Sequence, residues 1–429
     1  MKTYEEYKPS GSGWLGDSPT KWNVKKLKYL VTLVDEAPDS DDFLIAVENI
    51  ESKMGKLVGL DEEMTYEGNP KGFKRGDVLF NKLRPYLAKV WFAERDGAYI
   101  GELLNFRNGD EIDGKFLYYR TISAEFIDVV DSSTNGTKMP RANWDGFISQ
   151  LRIPYPSINE QTAIADYLDK ETARIDEVVG KKKRLIELLK EERLAIINHA
   201  VTRGLDPNAK LKPSNIEWLG DIPKKWDVRR LKYLVSVKAR LGWRGLKADE
   251  YVREGYGFLS TPNIKYNEID FENINFITEE RYFESPEIML QIGDVVLAKD
   301  GSTLGIVNVV TDLPFPTTVN SSIAVLRVDD ENIVFPPYLK YFLESRLMQS
   351  VIQWIKGGMG VPHLFQEDIR EFNLLIPPIS DQREIANYVR AETGKIERVI
   401  AKIEKEIGLL NEYRTALISE VVTGKVKVV

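Results

Sequence analysis

Two stretches without proline, from about Asn159 to Thr202 and from about Asp381 to Thr423, space their apolar residues alternately three and four apart. One register of the first runs Leu168, Ile175, Lys182, Leu189, Ile196, and its companion runs Thr172, Val179, Ile186, Arg193, Ala200. The second runs Val389, Ile396, Ile403, Leu410, Leu417 beside Thr393, Ile400, Ile407, Arg414, Val421. This spacing predicts two helices of about 42 residues, roughly 60 Å each. Asn159 and Ser380 or Asp381 are the expected N-caps, and Gly204 and Gly424 the stops. Heptad stripes suit two helices that pair through knobs-into-holes packing; they also suit helices lying on a globular body. Thr and Arg recur at equivalent register positions, so the two seams are homologous. Antiparallel pairing would put similar modules at opposite ends of a rod, a pseudo-two-fold dumbbell from one chain. The expected seam is Leu168, Ile175, Val179, Ile186, Leu189 and Ile196 against Val389, Ile396, Ile400, Ile403, Ile407, Leu410 and Leu417.

Before each long helix the pattern changes to short strand-like runs between turns. Gly76-Asp77-Val78-Leu79-Phe80 and Gly293-Asp294-Val295-Val296-Leu297 each open at a Gly-Asp turn. Leu87 to Phe92, Gly305 to Val310 and Ser322 to Val328 read as further strands, and Phe116 to Ile127 and Tyr338 to Lys356 as helices. Trp14 to Leu30 and Trp218 to Leu234 share 12 of 17 positions, including both Trp of each copy, and two of the five differences exchange Lys for Arg. Gln161, Glu171-Thr172 and Val201-Thr202 are answered by Gln382, Glu392-Thr393 and Val422-Thr423. The chain is a tandem duplication with a domain-sized period. Its fold class is α+β: two similar mixed α/β modules separated by two long helices. The expected divisions are a first module at 1–155, a helix at 156–204, a linker at 205–217, a second module at 218–376 and a helix at 377–424. Each module is large enough for a core of its own, with few residues crossing between them.

Composition narrows the chemistry. The 429 residues include no cysteine and only two histidines, His199 and His363, which excludes disulfides and thiolate chemistry and leaves no His-rich metal centre. No segment resembles a signal peptide or a membrane span, so a cytoplasmic protein is expected. A net charge of −7 disfavours a stand-alone nucleic-acid binder, whose affinity would come from neutralised phosphates; it gives a reason to expect partners.

No catalytic constellation emerges, so no catalytic or metal residue is assigned. Phe335-Pro336-Pro337-Tyr338 is reminiscent of an adenine-methyltransferase box, but Phe335 stands where an amide is needed and no Gly-rich cofactor loop accompanies it. A Pro-primed helix start is the better reading. Phe80 and Leu297 occupy the acidic position that a nuclease motif would need before Lys82 and Lys299. A self-sufficient methyltransferase lacks its cofactor loop. Late in each module lies a Gly-containing loop, Asn135 to Arg141 and Gly357 to His363, either a ligand-approach loop or a strained turn. Lys181 to Arg184 is a basic run that serves either as a solvated helix face or as a DNA contact.

Val201-Thr202-Arg203-Gly204-Leu205-Asp206-Pro207-Asn208, running into Ile216-Glu217-Trp218-Leu219-Gly220-Asp221-Ile222-Pro223, resembles the central region of type I restriction-modification specificity subunits. The helix openings Ile153 to Gln161 and Ile376 to Gln382 carry the same resemblance, which spans essentially the whole chain. It implies a non-catalytic DNA-recognition subunit in which each module reads one half of a bipartite target and the helices set the spacer. It implies double-stranded DNA, two methyltransferase subunits and restriction-translocase subunits as partners. S-adenosylmethionine, ATP and Mg are expected on those partners and none on this chain. The rival is a two-lobed protein-interaction scaffold without nucleic-acid binding.

The family offers no shared base-reading motif, so candidate contacts rest on side-chain chemistry. Arg, Lys, Asn and Gln make the efficient bidentate contacts to base edges. In the first module these are Asn81, Lys82, Arg84, Lys89, Asn135, Lys138 and Arg141; in the second, Arg240, Trp243, Arg244, Asn263, Lys265, Lys299, Ser302, Asn320 and His363.

Overall fold

The computed structural model describes residues 2–39, 42–60, 68–134, 136, 138–240, 246, 248–265, 267–356 and 362–428. They form two compact units, Met1–Lys183 with Ile403–Val429, and Arg184–Lys402.

In the first unit a four-stranded antiparallel sheet is ordered Val31–Val34, Leu103–Asn108, Val78–Asn81, Val90–Phe92. Residues of strand Val78–Asn81 are buried on both faces, which explains its unbroken apolar run. Val78 and Phe80 face helices Gly114–Ile122 and Ala124–Ser132, while Leu79 packs with Ile45, Phe73 and Tyr99 of a three-stranded sheet. The second unit repeats the plan with Val235–Lys238, Ile323–Val328, Val295–Ala298 and Val307–Val309 under helices Pro336–Glu344 and Arg346–Ile355. Its three-stranded sheet differs. Strand Lys71–Phe73 pairs with Gly97–Ile100 in the first unit, whereas Asn275–Ile277 pairs with Tyr256–Leu259, the other member of the parallel pair, in the second.

Each single helix expected from the sequence is two. Ser123 and Ser345, both extended, break the runs. Ser345 accepts from the Met348 backbone N–H, starting a new helix by capping it. Pro336 is the first residue of its helix, as a Pro-primed start requires. The run from Leu87 is strand only over Val90–Phe92, because Pro85–Leu87 form a tight 3-10 turn.

The duplication is clearest in buried polar anchors. Asp77 and Asp294, the acids of the Gly-Asp turns, each take two hydrogen bonds from an arginine, Arg107 (2.9 and 2.8 Å) and Arg327 (2.7 and 2.7 Å). Gln161 accepts from the Asp113 backbone N–H and donates to the carbonyls of Glu111 and Pro156. Gln382 accepts from Phe335 and donates to Ile333 and Pro377. These amides latch the long helices to their modules. Replacing Gln161 with Met should cost roughly 2–4 kcal/mol in urea denaturation, since each buried polar group left unpartnered costs about 1–3 kcal/mol. A Gln161→Met midpoint equal to the wild type would remove the latch from the argument.

The long helices are Ile158–Arg203, 46 residues, and Ile379–Val422, 44 residues, or about 69 and 66 Å at 1.5 Å per residue. Asn159, Ser380 and Asp381 lie inside the first turns rather than at the caps. Gly204 and Gly424 do follow the last turns, with φ of +78° and +76°. A Cβ on Gly424 would meet Trp22 and Pro19, and one on Gly204 would meet Trp226, so the copied tryptophans abut the helix ends.

Both readings of the stripes hold, at different places. Within the first unit Asp176 pairs with Arg414 and Lys182 with Glu406, so the helices run antiparallel there. Within the second, Arg193 pairs with Glu397. Leu168, Ile175, Val179, Ile186, Val389, Ile396, Ile403 and Leu417 are buried. Leu189, Ile196, Ile400, Ile407 and Leu410 are only half-buried, and Ile197 rather than Ile196 is fully enclosed. The stripe shifts because the helix ends pack on the modules instead of on each other. Leu417, Ile418, Val421 and Val422 join the core of the first unit, and Ile197, Ala200 and Val201 that of the second. The core of the first unit is thus completed by the end of the second long helix. Lys181 and Lys182 are engaged by Glu177 and Glu406, so this part of the basic run is a helix-face ion-pair set.

Candidate nucleic-acid interface

The sheets position one pair of loops in each unit. After strand Val78–Asn81 the chain turns through Lys82 to Ala88, and three backbone hydrogen bonds fix it: Arg84 N–H to Pro140, Ala142 N–H to Lys82 and Lys82 N–H to Glu102. After Val295–Ala298 the same bonds recur: Gly301 N–H to Pro362, Leu364 N–H to Lys299 and Lys299 N–H to Ser322. The bridges Leu83–Arg141 and Asp300–His363 complete the match. Lys82 is thus the counterpart of Lys299, Arg84 of Gly301, Ala88 of Gly305 and Arg141 of His363.

The side chains on this common backbone differ. In the first unit Lys82 and Arg141 flank Glu102 at 3.1 and 3.0 Å, and Arg84 donates to the Lys138 carbonyl. Burial opposes ionisation of Glu102, yet hydrogen bonds from Lys82 and Arg141 prevail and hold its carboxyl below the ordinary value. Among the described residues Arg84 and Lys138 make no ion pair, so the loop pair carries four cations of which two, Lys82 and Arg141, are held by Glu102. Tyr86 and Met139 stand exposed beside them. Arg84 and Ala88 are left-handed, with φ of 52° and 46°, where the second unit uses Gly301 and Gly305 at 71° and 91°. Arginine at a position that suits glycine stores about 1 kcal/mol or more of strain, a feature that concentrates at functional sites.

In the second unit Lys299 lies largely buried near Asp300, Ser302 is exposed on the turn, and His363 Nδ1 contacts the Asp300 carboxylate. The His363 ring meets Phe365 edge-on at 4.5 Å, and Phe365 is more than half exposed. Asn320 sits in the adjoining turn, its Oδ1 accepting from Ser322 N–H.

Several candidates serve the fold instead. Asn81 is buried and closes a turn on Leu83 with both amide atoms. Asn263 does the same between Ser260 and Asn273, and Asn49 is its twin in the first unit. Lys89 donates to the Val47 carbonyl, and burial pulls its ammonium below the ordinary value. Arg240 is buried against Glu284, and Lys265 pairs with Asp270. Asn135, Trp243 and Arg244, and the loop segment 357–361, lie outside the described residues. Sequence reasoning did not single out Tyr86, Met139 and Phe365, which stand exposed on these loops.

Among the described residues no acid or His cluster could hold a metal, and no helix is long and apolar enough to cross a membrane. The two units thus carry one loop frame with unlike side chains. The family model for the type I restriction modification DNA specificity domain matches residues 223–407. Two specificity subunits of Methanocaldococcus jannaschii are similar: that of the type I restriction enzyme MjaVIII, 24% identical over 74% of this chain and 71% of the relative, and the putative MjaX subunit, 24% over 96% and 85%. A chain solved in work on assembly and conformational transition of the type I restriction-modification system shares the fold, with a TM-score of 0.72 at 17% identity over 95% of this chain and 99% of that one. Residues 223–407 thus match a type I DNA specificity domain, and the chain as a whole is similar to type I restriction-modification specificity subunits.

Proposed function

We propose that this chain is the DNA-recognition subunit of a type I restriction-modification complex, with residues 1–155 and 218–376 each reading one half of a bipartite target. The recurrence of one loop frame with different side chains carries the reading, because two unlike half-sites need two divergent readers on a common support. Arg84, Arg141 and Lys138 suit guanine edges and phosphates on the first half-site, and Lys299, Ser302 and His363 serve the second. The long helices set the spacing and dock two methyltransferase subunits, and restriction-translocase subunits join for cleavage. The partners carry S-adenosylmethionine, ATP and Mg, and the complex works in the cytoplasm. A chain of net charge −7 gains most of its phosphate grip from those partners.

Modified-base sequencing of cells carrying the chain with its methyltransferase tests this. Arg84→Gly should relax the first half-site by roughly 5- to 150-fold, the worth of one bidentate base contact, and leave the second unchanged. Its fold stability should stay within about 1 kcal/mol, because glycine is the native choice at the equivalent turn. His363→Ala should do the converse. A variant that altered both half-sites, or neither, would end the two-reader proposal.

A further inference from the structure

The second unit has an apolar surface that its twin lacks. Helix Arg346–Ile355 lines a groove of about 1040 Å³ with Leu347, Val351, Trp354 and Ile355, and Trp218 and Phe372 lie opposite. Trp354 is 86% exposed. Aligned on the helix-breaking serines, Ser345 and Ser123, these four helix positions correspond to Glu125, Val129, Ser132 and Ser133 in the first unit. There the surface is polar: Glu125 pairs with Lys425, and Trp14, the twin of Trp218, is covered by Phe126 and Arg120. The exposed Trp354 of the second unit thus stands where the first unit has Ser132.

The rim says what covers it. Glu217, Glu367, Asp368 and Glu371 border the groove against one cation, Arg346. Glu371 is already held by Arg230 and Lys232, which leaves three acids at the edge. Such a rim repels DNA phosphates and attracts lysine and arginine. An apolar floor with an acidic border fits an amphipathic helix whose apolar stripe is flanked by basic residues. A contiguous apolar patch with a central Trp is also the usual form of a binding hot spot.

We infer that this groove docks a basic amphipathic helix of one methyltransferase subunit, a contact made on the second unit and absent from the first. The inference rests on the proposed assembly. It implies that the two methyltransferase copies are held unequally, the copy at the groove depending on Trp354.

Native mass spectrometry of the full chain co-expressed with its methyltransferase subunit decides it. The wild type should carry two copies. Trp354→Glu should carry one, with the second at least about 30-fold weaker, the loss expected for a central aromatic anchor. Trp354→Phe should restore it, and Ser132→Glu at the twin position should change nothing. Should Trp354→Glu disturb folding, Glu367→Lys on the exposed rim gives an independent reading, weakening one copy by opposing its basic flank. Two copies retained by both Trp354→Glu and Glu367→Lys would overturn the inference and leave the proposed function standing. Chain dimers lost on Trp354→Glu, or lost DNA binding with both copies retained, would equally overturn it. A wild-type chain that binds no methyltransferase would sink the proposed function as well.

Discussion

Val421→Asp, almost at the end of the chain, is expected to unfold the first unit and leave the second folded. Val421 is fully buried in the core that also holds Trp22, Leu168 and Phe116. An unpaired carboxylate at such a place costs several kcal/mol, comparable with the roughly 5–15 kcal/mol that holds a domain together. The damage should therefore appear about four hundred residues away in sequence. Hydrogen exchange read peptide by peptide should show protection lost in Val31–Val34, Val78–Asn81 and Leu103–Asn108. Val235–Lys238, Val295–Ala298 and Ile323–Val328 should keep theirs. Ile197→Asp, in the first long helix, should give the reverse pattern, because Ile197 belongs to the core of the second unit. Protection lost in the second unit on Val421→Asp would mean that the helix end does not complete the first core. The same crossing constrains chimaeras: a foreign first module must still fit native Leu417 to Val426.

The periodic parts of this fold were legible because periodicity is a local property. Heptad spacing marks the long helices whatever they touch, and the duplicated tryptophans mark the frame. What the stripes pack against was not legible. A buried stripe reads alike on a helix and on a sheet-backed core, so the shift from Ile196 to Ile197 leaves no sequence signal. The helix breaks at Ser123 and Ser345 were hidden because serine is tolerated inside helices. Only its local hydrogen bonds, to the Arg120 carbonyl from Ser123 and from Met348 N–H to Ser345, mark the break.

Site chemistry was legible in part for a related reason. An asparagine that reads a base and one that closes a turn use the same amide, so Asn81 and Asn263 resembled readers until their partners were known. Lys82 and Arg141 were visible as cations, but Glu102, which binds both, comes from a different strand edge. The asymmetry at Trp354 was invisible for a different reason. It lies in a comparison of helix faces that needs the correct alignment of two diverged helices.

The second large effect is expected in the seam. Glu344 is almost fully buried between Arg193, at 2.6 Å, and Lys340, at 2.6 Å, and Arg193 also reaches Glu397 at 3.2 Å. Burial pulls the Lys340 ammonium below its ordinary value, with Glu344 opposing that shift. The first unit repeats the Arg193–Glu397 pair as Arg414–Asp176, at 3.2 Å, but not the Glu344–Lys340 pair. Tyr118 and Ile122 occupy the positions of Lys340 and Glu344, and Arg414, the twin of Arg193, donates to the carbonyls of Lys53 and Met54. Removing one member should be costly because it strands the others. Arg193→Ala should destabilise the second unit by about 3–5 kcal/mol, the range for breaking a buried ion pair. Replacing the cluster as a set behaves differently. Arg193→Met, Glu344→Leu and Lys340→Met together remove every buried charge in the cluster while keeping volume, and should fall within about 1–2 kcal/mol of the wild type or exceed it. Glu397, part-exposed, can be solvated once Arg193 is gone. The check is hydrogen-exchange stability of strands Val295–Ala298 and Ile323–Val328 in both variants. A triple variant as unstable as Arg193→Ala would show that the ions hold the seam by their mutual attraction, and not merely because losing one leaves an unpaired charge.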